Sequence, residues 1–140
     1  MPELPEAEVA ARQLRRRLMG ASVADVIVGR PDIIREGGDA GAWYPGSRVT
    51  AVHRHGKSVV VEFQKAGAVR YLVAELGMTG LLLFPEVAIK FPRHVHYTMR
   101  FDSPSTGSLR YWNPRSFGRL SLLDRAGLDR KSTRLNSSHT

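Results

Sequence analysis

The sequence predicts a mainly β domain: two largely antiparallel sheets packed as a sandwich or flattened barrel, with a single helix at the N-terminus. Three observations predict it. From residue 22 onward, about six short runs rich in β-branched and aromatic residues are punctuated by Gly, Pro and Asp. Their regular spacing suits strands that follow one another through short turns. Helical patterning is confined to the first twenty residues, and a 140-residue chain with 42% apolar residues has room for one modest core.

The helix is predicted over Pro5 to Leu18. Proline suits a first turn, Glu6 and Glu8 lie near the positive end of the helix dipole, and Arg15, Arg16 and Arg17 lie near its negative end. Gly20 is its expected stop. Val9, Gln13 or Leu14, and Leu18 form a narrow apolar stripe, so one side of the helix is expected to pack on a sheet. The strands are predicted over 22–28, 48–53, 58–63, 69–76, 96–101 and 108–112, where Val49, Val59, Val61, Phe63, Tyr71 and Val73 are residues that strands favour. Ser103-Pro104-Ser105-Thr106-Gly107 reads as a turn between the last two, and Asp39 to Gly46 as a loop or small surface excursion. No internal repeat is visible. The final segment, from Arg130, lacks periodicity, reads as disordered and resembles translated adaptor or linker sequence.

The formal charge is +8, which points to a polyanionic partner such as nucleic acid. The charge is unevenly spread. Residues 1–89 hold 11 Lys+Arg against 10 Asp+Glu, and residues 90–140 hold 10 against 3, so the basic surface is expected in the C-terminal third. No cysteine is present, which excludes disulfides, thiolate zinc sites and a cysteine nucleophile within these 140 residues. No apolar run is long enough to cross a bilayer, and the opening residues lack the pattern of a signal peptide, so an intracellular, cytoplasmic protein without a membrane partner is expected.

Pro2 is small enough for Met1 to be removed before it, which would leave a secondary amine at the chain terminus. An α-amino group has a reference pKa of about 7.7 to 8.0, so part of it is unprotonated near neutral pH. A secondary amine condenses with a sugar C1′ to an iminium ion, an electron sink that drives β-elimination. Glu3 and Glu6 lie where carboxylates could move protons. On residues alone the simpler reading is preferred: Pro2 only blocks degradation, and the same acids are helix-start residues favoured by the dipole.

The opening Met1-Pro2-Glu3-Leu4-Pro5-Glu6-Ala7-Glu8 resembles that of the formamidopyrimidine-DNA glycosylase and endonuclease VIII family, which usually has Val at the Ala7 position. Leu4 favours the formamidopyrimidine branch. Leu76-Gly77-Met78-Thr79-Gly80 resembles the family's Leu-Gly-Met-Ser-Gly loop, and Asn113-Pro114-Arg115-Ser116-Phe117-Gly118 resembles its Asp-Pro-Arg-Arg-Phe-Gly loop. Arg93-His94-Val95-His96 resembles its Lys-His-Asp-His stretch, and His55-Gly56-Lys57-Ser58 its lysine-bearing hairpin.

The resemblance implies a base-excision-repair glycosylase and abasic-site lyase that removes oxidised purines such as 8-oxoguanine and formamidopyrimidines. Pro2 is then the nucleophile at C1′, acting through a Schiff base and β,δ-elimination. Glu3 is the acid/base, Glu6 a supporting carboxylate, and Lys57 a phosphate contact that assists the chemistry. His94 contacts the DNA backbone. Met78, Arg115 and Phe117 fill the void left by the flipped nucleotide, with Arg115 pairing to the orphaned cytosine; flipping costs a few kcal/mol of unstacking that such insertions partly replace.

The implied partner is damaged double-stranded DNA, bound by a monomer. No metal is expected in this chain, because the family's structural zinc belongs to a four-cysteine finger. Residues 1–125 are expected to be the family's N-terminal catalytic domain and 126–140 a disordered tail, with the helix-two-turn-helix and zinc-finger domains absent. A DNA-binding module without catalysis, or an inactive truncated fragment, is the alternative. Three departures stand out: Glu75 where the family has His, Asn113 where it has Asp, and Ser116 where it has a second Arg. An acid near phosphate repels it, and losing an arginine removes charge beside the inserted loop.

Overall fold

The computed structural model describes residues 3–29, 34–36, 42–56, 58–75, 81–83, 95–102, 106–112 and 120–130. For residues 3–7, 34–36, 81–83, 96 and 112 it describes the backbone alone. Helix α1 spans Glu3–Leu18. Nine strands follow among the described residues: β1 (Val23–Val28), β2 (Ile34–Glu36), β3 (Arg48–His55), β4 (Ser58–Lys65), β5 (Ala68–Glu75), β6 (Leu81–Leu83), β7 (Val95–Phe101), β8 (Ser108–Trp112) and β9 (Leu120–Asp124). They form two sheets, one ordered β1-β7-β8-β6 and the other β2-β9-β5-β4-β3.

Pairing is antiparallel throughout except for β2 on β9, which is parallel. One apolar cluster joins the inner faces of both sheets: Val59, Val61, Phe63 and Leu72 from one, Tyr97, Met99, Leu109 and Tyr111 from the other. The expected two-sheet sandwich with an N-terminal helix is the fold found.

Helix α1 presents Ala11, Leu14 and Leu18 to this core, a spacing of three and four residues that lines one helical face. Val9, expected in that stripe, is 51% exposed. The buried face is thus set by Ala11 rather than by the larger residue, because alanine lets the helix approach the sheet closely. Gly20 takes a left-handed φ of 81° just past the helix end, a conformation with little penalty for glycine.

The chain then runs beside β3, the edge strand of its sheet. Gly20 N donates to Val49 O and Val49 N to Ala21 O, and Arg15 Nε donates to Val52 O at 2.8 Å. These bonds occupy edge groups of β3 that would otherwise be open to pairing with another chain.

Further differences from the sequence reading have physical causes. Strands β2 and β6 are three residues each, and β2 pairs with a strand 86 residues away (Ile34 with Leu120), which no local pattern reveals. Strand β9 is buried on both faces, so its Leu120-Ser121-Leu122-Leu123 run shows no alternation.

Residues 42–46 are a loop, as expected, but one anchored inward rather than a surface excursion. Tyr44 is fully buried and donates its hydroxyl to Tyr71 O at 2.7 Å, and Lys65 Nζ donates to the carbonyls of Trp43 and Pro45 at 2.8 and 2.9 Å. The beginning of that predicted loop, residues 39–41, lies outside the described residues.

Residues 126–130, expected as disordered, belong to a helical turn over 125–130. Asp124 Oδ1 accepts from Gly127 N at 2.8 Å as a cap, and Leu128 packs on Val60, Tyr71, Val73 and Leu123 on the outer face of the five-stranded sheet. Residues 131–140 lie outside the described residues.

Candidate active site

The strand registers show where the candidate segments leave the fold. In the five-stranded sheet, His55 pairs with Ser58 and Ser58 with Glu75, while Ala74 pairs with Leu120. The turn between β3 and β4, the end of β5 and the start of β9 therefore share one end of that sheet. In the four-stranded sheet, Trp112 pairs with both Leu81 and Val95, so the end of β8 and the starts of β6 and β7 are together. Residues 76–80 join β5 to β6 and 113–119 join β8 to β9, so these ends belong to the same end of the sandwich.

Helix α1 points its N-terminus the same way. Its last turn lies near Val49, through Gly20 and Ala21, whereas Glu8 reaches Arg54, the penultimate residue of β3. The helix thus runs against β3, with Glu3 and Glu6 in its first turns at the end where β3 turns into β4. Only the backbone of these two glutamates is described.

The other expected site residues lie outside the described residues: Pro2, Lys57, Met78, His94, Arg115 and Phe117. Their neighbours fix their place in the chain. Pro2 precedes α1, Lys57 lies between Gly56 and Ser58, Met78 between β5 and β6, His94 immediately before β7, and Arg115 and Phe117 between β8 and β9. Segments up to 115 residues apart in sequence meet the fold at one end.

The described groups at this end are charged. The Glu8 carboxylate accepts from Arg54 Nε on one oxygen and from Arg12 Nε on the other, both at 3.0 Å. These bonds, that from Arg54 foremost, hold the Glu8 carboxyl below the usual carboxylate value of 4.5. Arg54 Nη1 also donates to Gly56 O at 3.1 Å, and Gly56 takes a left-handed φ of 62° in the turn just before Lys57.

Burial lowers the pKa of His53 on β3, with the neighbouring Glu62 opposing it. Glu75, the departure noted in the sequence, ends β5 directly opposite Ser58, so the acid stands across from the hairpin turn that carries Lys57. Sequence reasoning overlooked Glu8, Arg12 and Arg54. The four-residue spacing of Glu8 and Arg12 on a helix was a readable signal; the partnership with Arg54, 46 residues away, was not.

Among the described residues no three His, Asp or Glu side chains gather as a metal site, and no helix is long and apolar enough to cross a membrane. A four-cysteine zinc site cannot be assembled from this sequence, which has no cysteine.

Residues 1–120 match the family described as the formamidopyrimidine-DNA glycosylase N-terminal domain. The chain is 35% identical over 119 residues to the formamidopyrimidine-DNA glycosylase of Dechloromonas aromatica, an alignment covering 84% of this chain and 42% of that protein. It is 34% identical over 139 residues to the corresponding protein of Nocardia farcinica, covering 92% of this chain and 47% of that one. The chain therefore spans less than half the length of the curated relatives it matches.

Among solved structures, it resembles the Lactococcus lactis Fpg (MutM) bound to a FAPY-dG-containing DNA, with a TM-score of 0.76 at 24% identity over 94% of this chain and 48% of that one. It also resembles the Lactococcus lactis Fpg in complex with abasic-site DNA, with the same TM-score and identity over 94% and 47% of the two chains. At that identity the likeness establishes the shared fold.

Proposed function

Because this chain belongs to the formamidopyrimidine-DNA glycosylase family, whose N-terminal domain it matches over residues 1–120, we propose that it carries the catalytic half of a base-excision-repair glycosylase and abasic-site lyase acting on oxidised purines in double-stranded DNA. The observation that carries this reading is the shared end of the sandwich, from which all the strand ends flanking the candidate segments emerge, together with the N-terminal end of α1. Catalytic and binding residues concentrate in connections held by a rigid scaffold.

In this reading Met1 is removed and the Pro2 nitrogen attacks C1′ of the damaged nucleoside. The glycosidic bond breaks, and its electron pair leaves with the base, which takes up a proton. Glu3 protonates the ring oxygen as the sugar opens, giving an iminium between Pro2 and C1′. Loss of a C2′ proton to a base then expels the 3′ phosphate by β-elimination, and a second elimination expels the 5′ phosphate.

Glu6 supports the proton transfers, Lys57 and His94 hold phosphates beside the lesion, and Met78, Arg115 and Phe117 occupy the space the flipped nucleotide leaves. The net charge of +8 suits such a polyanion. Residues 1–125 are the catalytic domain in this reading, acting as a monomer. The family's zinc, held by four cysteines, has no ligands among these 140 residues.

Borohydride trapping tests the proposal, using a duplex with an abasic site opposite cytosine and the Pro2→Gly and Glu3→Gln variants beside the parent. The expected result is a covalent adduct that disappears when a retained Met1 blocks Pro2. If the folded chain with Met1 removed binds the duplex but forms no adduct, the reading of a DNA-binding module without catalysis replaces this one.

A further inference from the structure

Among the described side chains of α1, Ala10, Ala11, Leu14 and Leu18 pack on the core, and the helix continues from there to Glu3 at the end where the candidate segments gather. In that N-terminal part Glu8 meets Arg54. A single guanidinium makes two bonds there: Nε to the Glu8 carboxylate on the helix, and Nη1 to the Gly56 carbonyl in the β3–β4 turn. Both ends of this link are special positions. Glu8 is five residues, about 7.5 Å of helix axis, from Glu3. Gly56 precedes Lys57 and takes a left-handed φ while space for a Cβ there is open, so the turn is held by its backbone conformation and not by crowding.

We propose that Arg54 is a positioning residue that, through Glu8 and Gly56, holds the N-terminal end of α1 in fixed relation to the turn that carries Lys57. The inference rests on the proposed function for what the two segments do, and on the geometry alone for their coupling. The terminal amine and the lysine come from different ends of the sequence and must address the same nucleotide, one at its sugar and the other at its phosphate. The planar guanidinium can bridge a carboxylate and a carbonyl at once. A lysine, with one nitrogen on a flexible stem, keeps the charge but cannot span both acceptors in the same geometry. Arg12 holds the second Glu8 oxygen and belongs to the helix itself, so it orients the carboxylate without linking the two elements.

The test alters one element and reads the other. In Glu8→Gln, amide hydrogen exchange is measured at Gly56 in the turn and at Ser58 just after it; in Arg54→Lys, it is measured at Ala7 to Val9 of α1, with amides of Val60 to Phe63 in β4 and Tyr71 to Val73 in β5 as the internal standard. Exchange is expected to accelerate several-fold at the remote segment in both variants and to stay unchanged in the central strands. Arg12→Gln leaves the turn as in the parent.

Borohydride trapping at saturating abasic-site duplex is expected to slow about tenfold in Arg54→Lys, a size that small misplacements of reacting groups produce. Affinity for a duplex bearing a non-reactive tetrahydrofuran site changes less than twofold. Unchanged exchange at the remote segment, or acceleration spread equally over β4 and β5, overturns the coupling. An unchanged trapping rate in Arg54→Lys overturns its positioning role. If the parent itself forms no adduct, the proposed catalysis fails for this chain, and the exchange experiment still decides whether Arg54 couples the two segments.

Discussion

At one end of the sandwich β4 passes into β5 through Ala66 and Gly67 alone, whereas at the other the chain takes residues 76–80 to go from β5 to β6 and residues 113–119 to go from β8 to β9. The end with the β4–β5 turn is tied inward. Tyr44 stands edge-on to Phe63 with ring centroids 5.1 Å apart, and Lys65 lies over the Trp43 ring while binding two carbonyls beneath it. The opposite end has the two-residue β3–β4 turn beside the two longer connections, and Glu8 near the N-terminal end of α1 is bound there by exposed Arg12 and Arg54. One chain thus builds a closed end from buried contacts and an open end from polar ones. Burial makes a position rigid but leaves no room for a ligand, whereas a bond between exposed charges, such as Glu8 with Arg54, holds a position that water can also reach.

If that division is real, the largest effect comes from opening the closed end. Phe63→Ala should cost about 3–5 kcal/mol of stability in urea unfolding, the usual range for losing a fully buried aromatic ring. The Glu8–Arg54 pair should survive in whatever fraction stays folded. A loss under about 1 kcal/mol would mean that the end is not closed by packing, given the range expected for a buried ring.

Lys65→Met comes next. It removes a charged donor from the carbonyls of Trp43 and Pro45, and bonds of that type contribute about 1.5–3 kcal/mol each at most, so a loss of about 2 kcal/mol is expected by the same measurement.

A smaller change of opposite sign sharpens the same end. Ala66 has a left-handed φ of 50° ahead of Gly67 at 81°, the conformation of a two-residue hairpin that favours Asn-Gly. Ala66→Asn should therefore stabilise by about 0.5–1 kcal/mol, because asparagine enters that region at lower cost.

The smallest effect belongs to the open end and is a matter of pH. The Glu8 carboxyl is held below 4.5 chiefly by Arg54, so its folded pKa is depressed relative to the unfolded chain. Its contribution is present above the unfolded value and is lost as pH falls through the lowered one. Carboxyl titration followed by NMR should show Glu8 ionising below its ordinary value, and Arg54→Lys should move it back up. A Glu8 that titrates at the ordinary value in the parent would show that solvent screens the pair fully.

Helix α1 and the six longer strands were legible because their signals are local. Gly20, the Glu and Arg bias at the helix ends, and the Val-rich runs of β4 and β5 all report on neighbours within a few residues. Strand ends shifted by one or two residues, and the helix began at Glu3 instead of Pro5. Strands β2 and β9 were not legible, since a three-residue parallel pairing and a strand covered on both faces leave no alternation to read. Trp43 and Tyr44 read as part of a loop or small surface excursion because their burial depends on Phe63, Lys65 and Tyr71, which lie far along the chain.

By itself the sequence determined the fold class, the net positive charge and, through the resemblance of its opening octet and two glycine-flanked loops, the family to which residues 1–120 belong. Those are properties of residue type and order, written in stretches of eight residues or fewer. Only the tertiary structure decided that the strand ends flanking these stretches share one end of the sandwich, that Ala11 rather than Val9 faces the core, and that Arg54 links the first helix to the hairpin turn. The reason is that helix docking and the pairing of strands distant in the chain are set by contacts between residues as far apart as Gly20 and Val49 or Ile34 and Leu120, and a side chain's partners at that separation are chosen by the folded shape and not by the sequence around it.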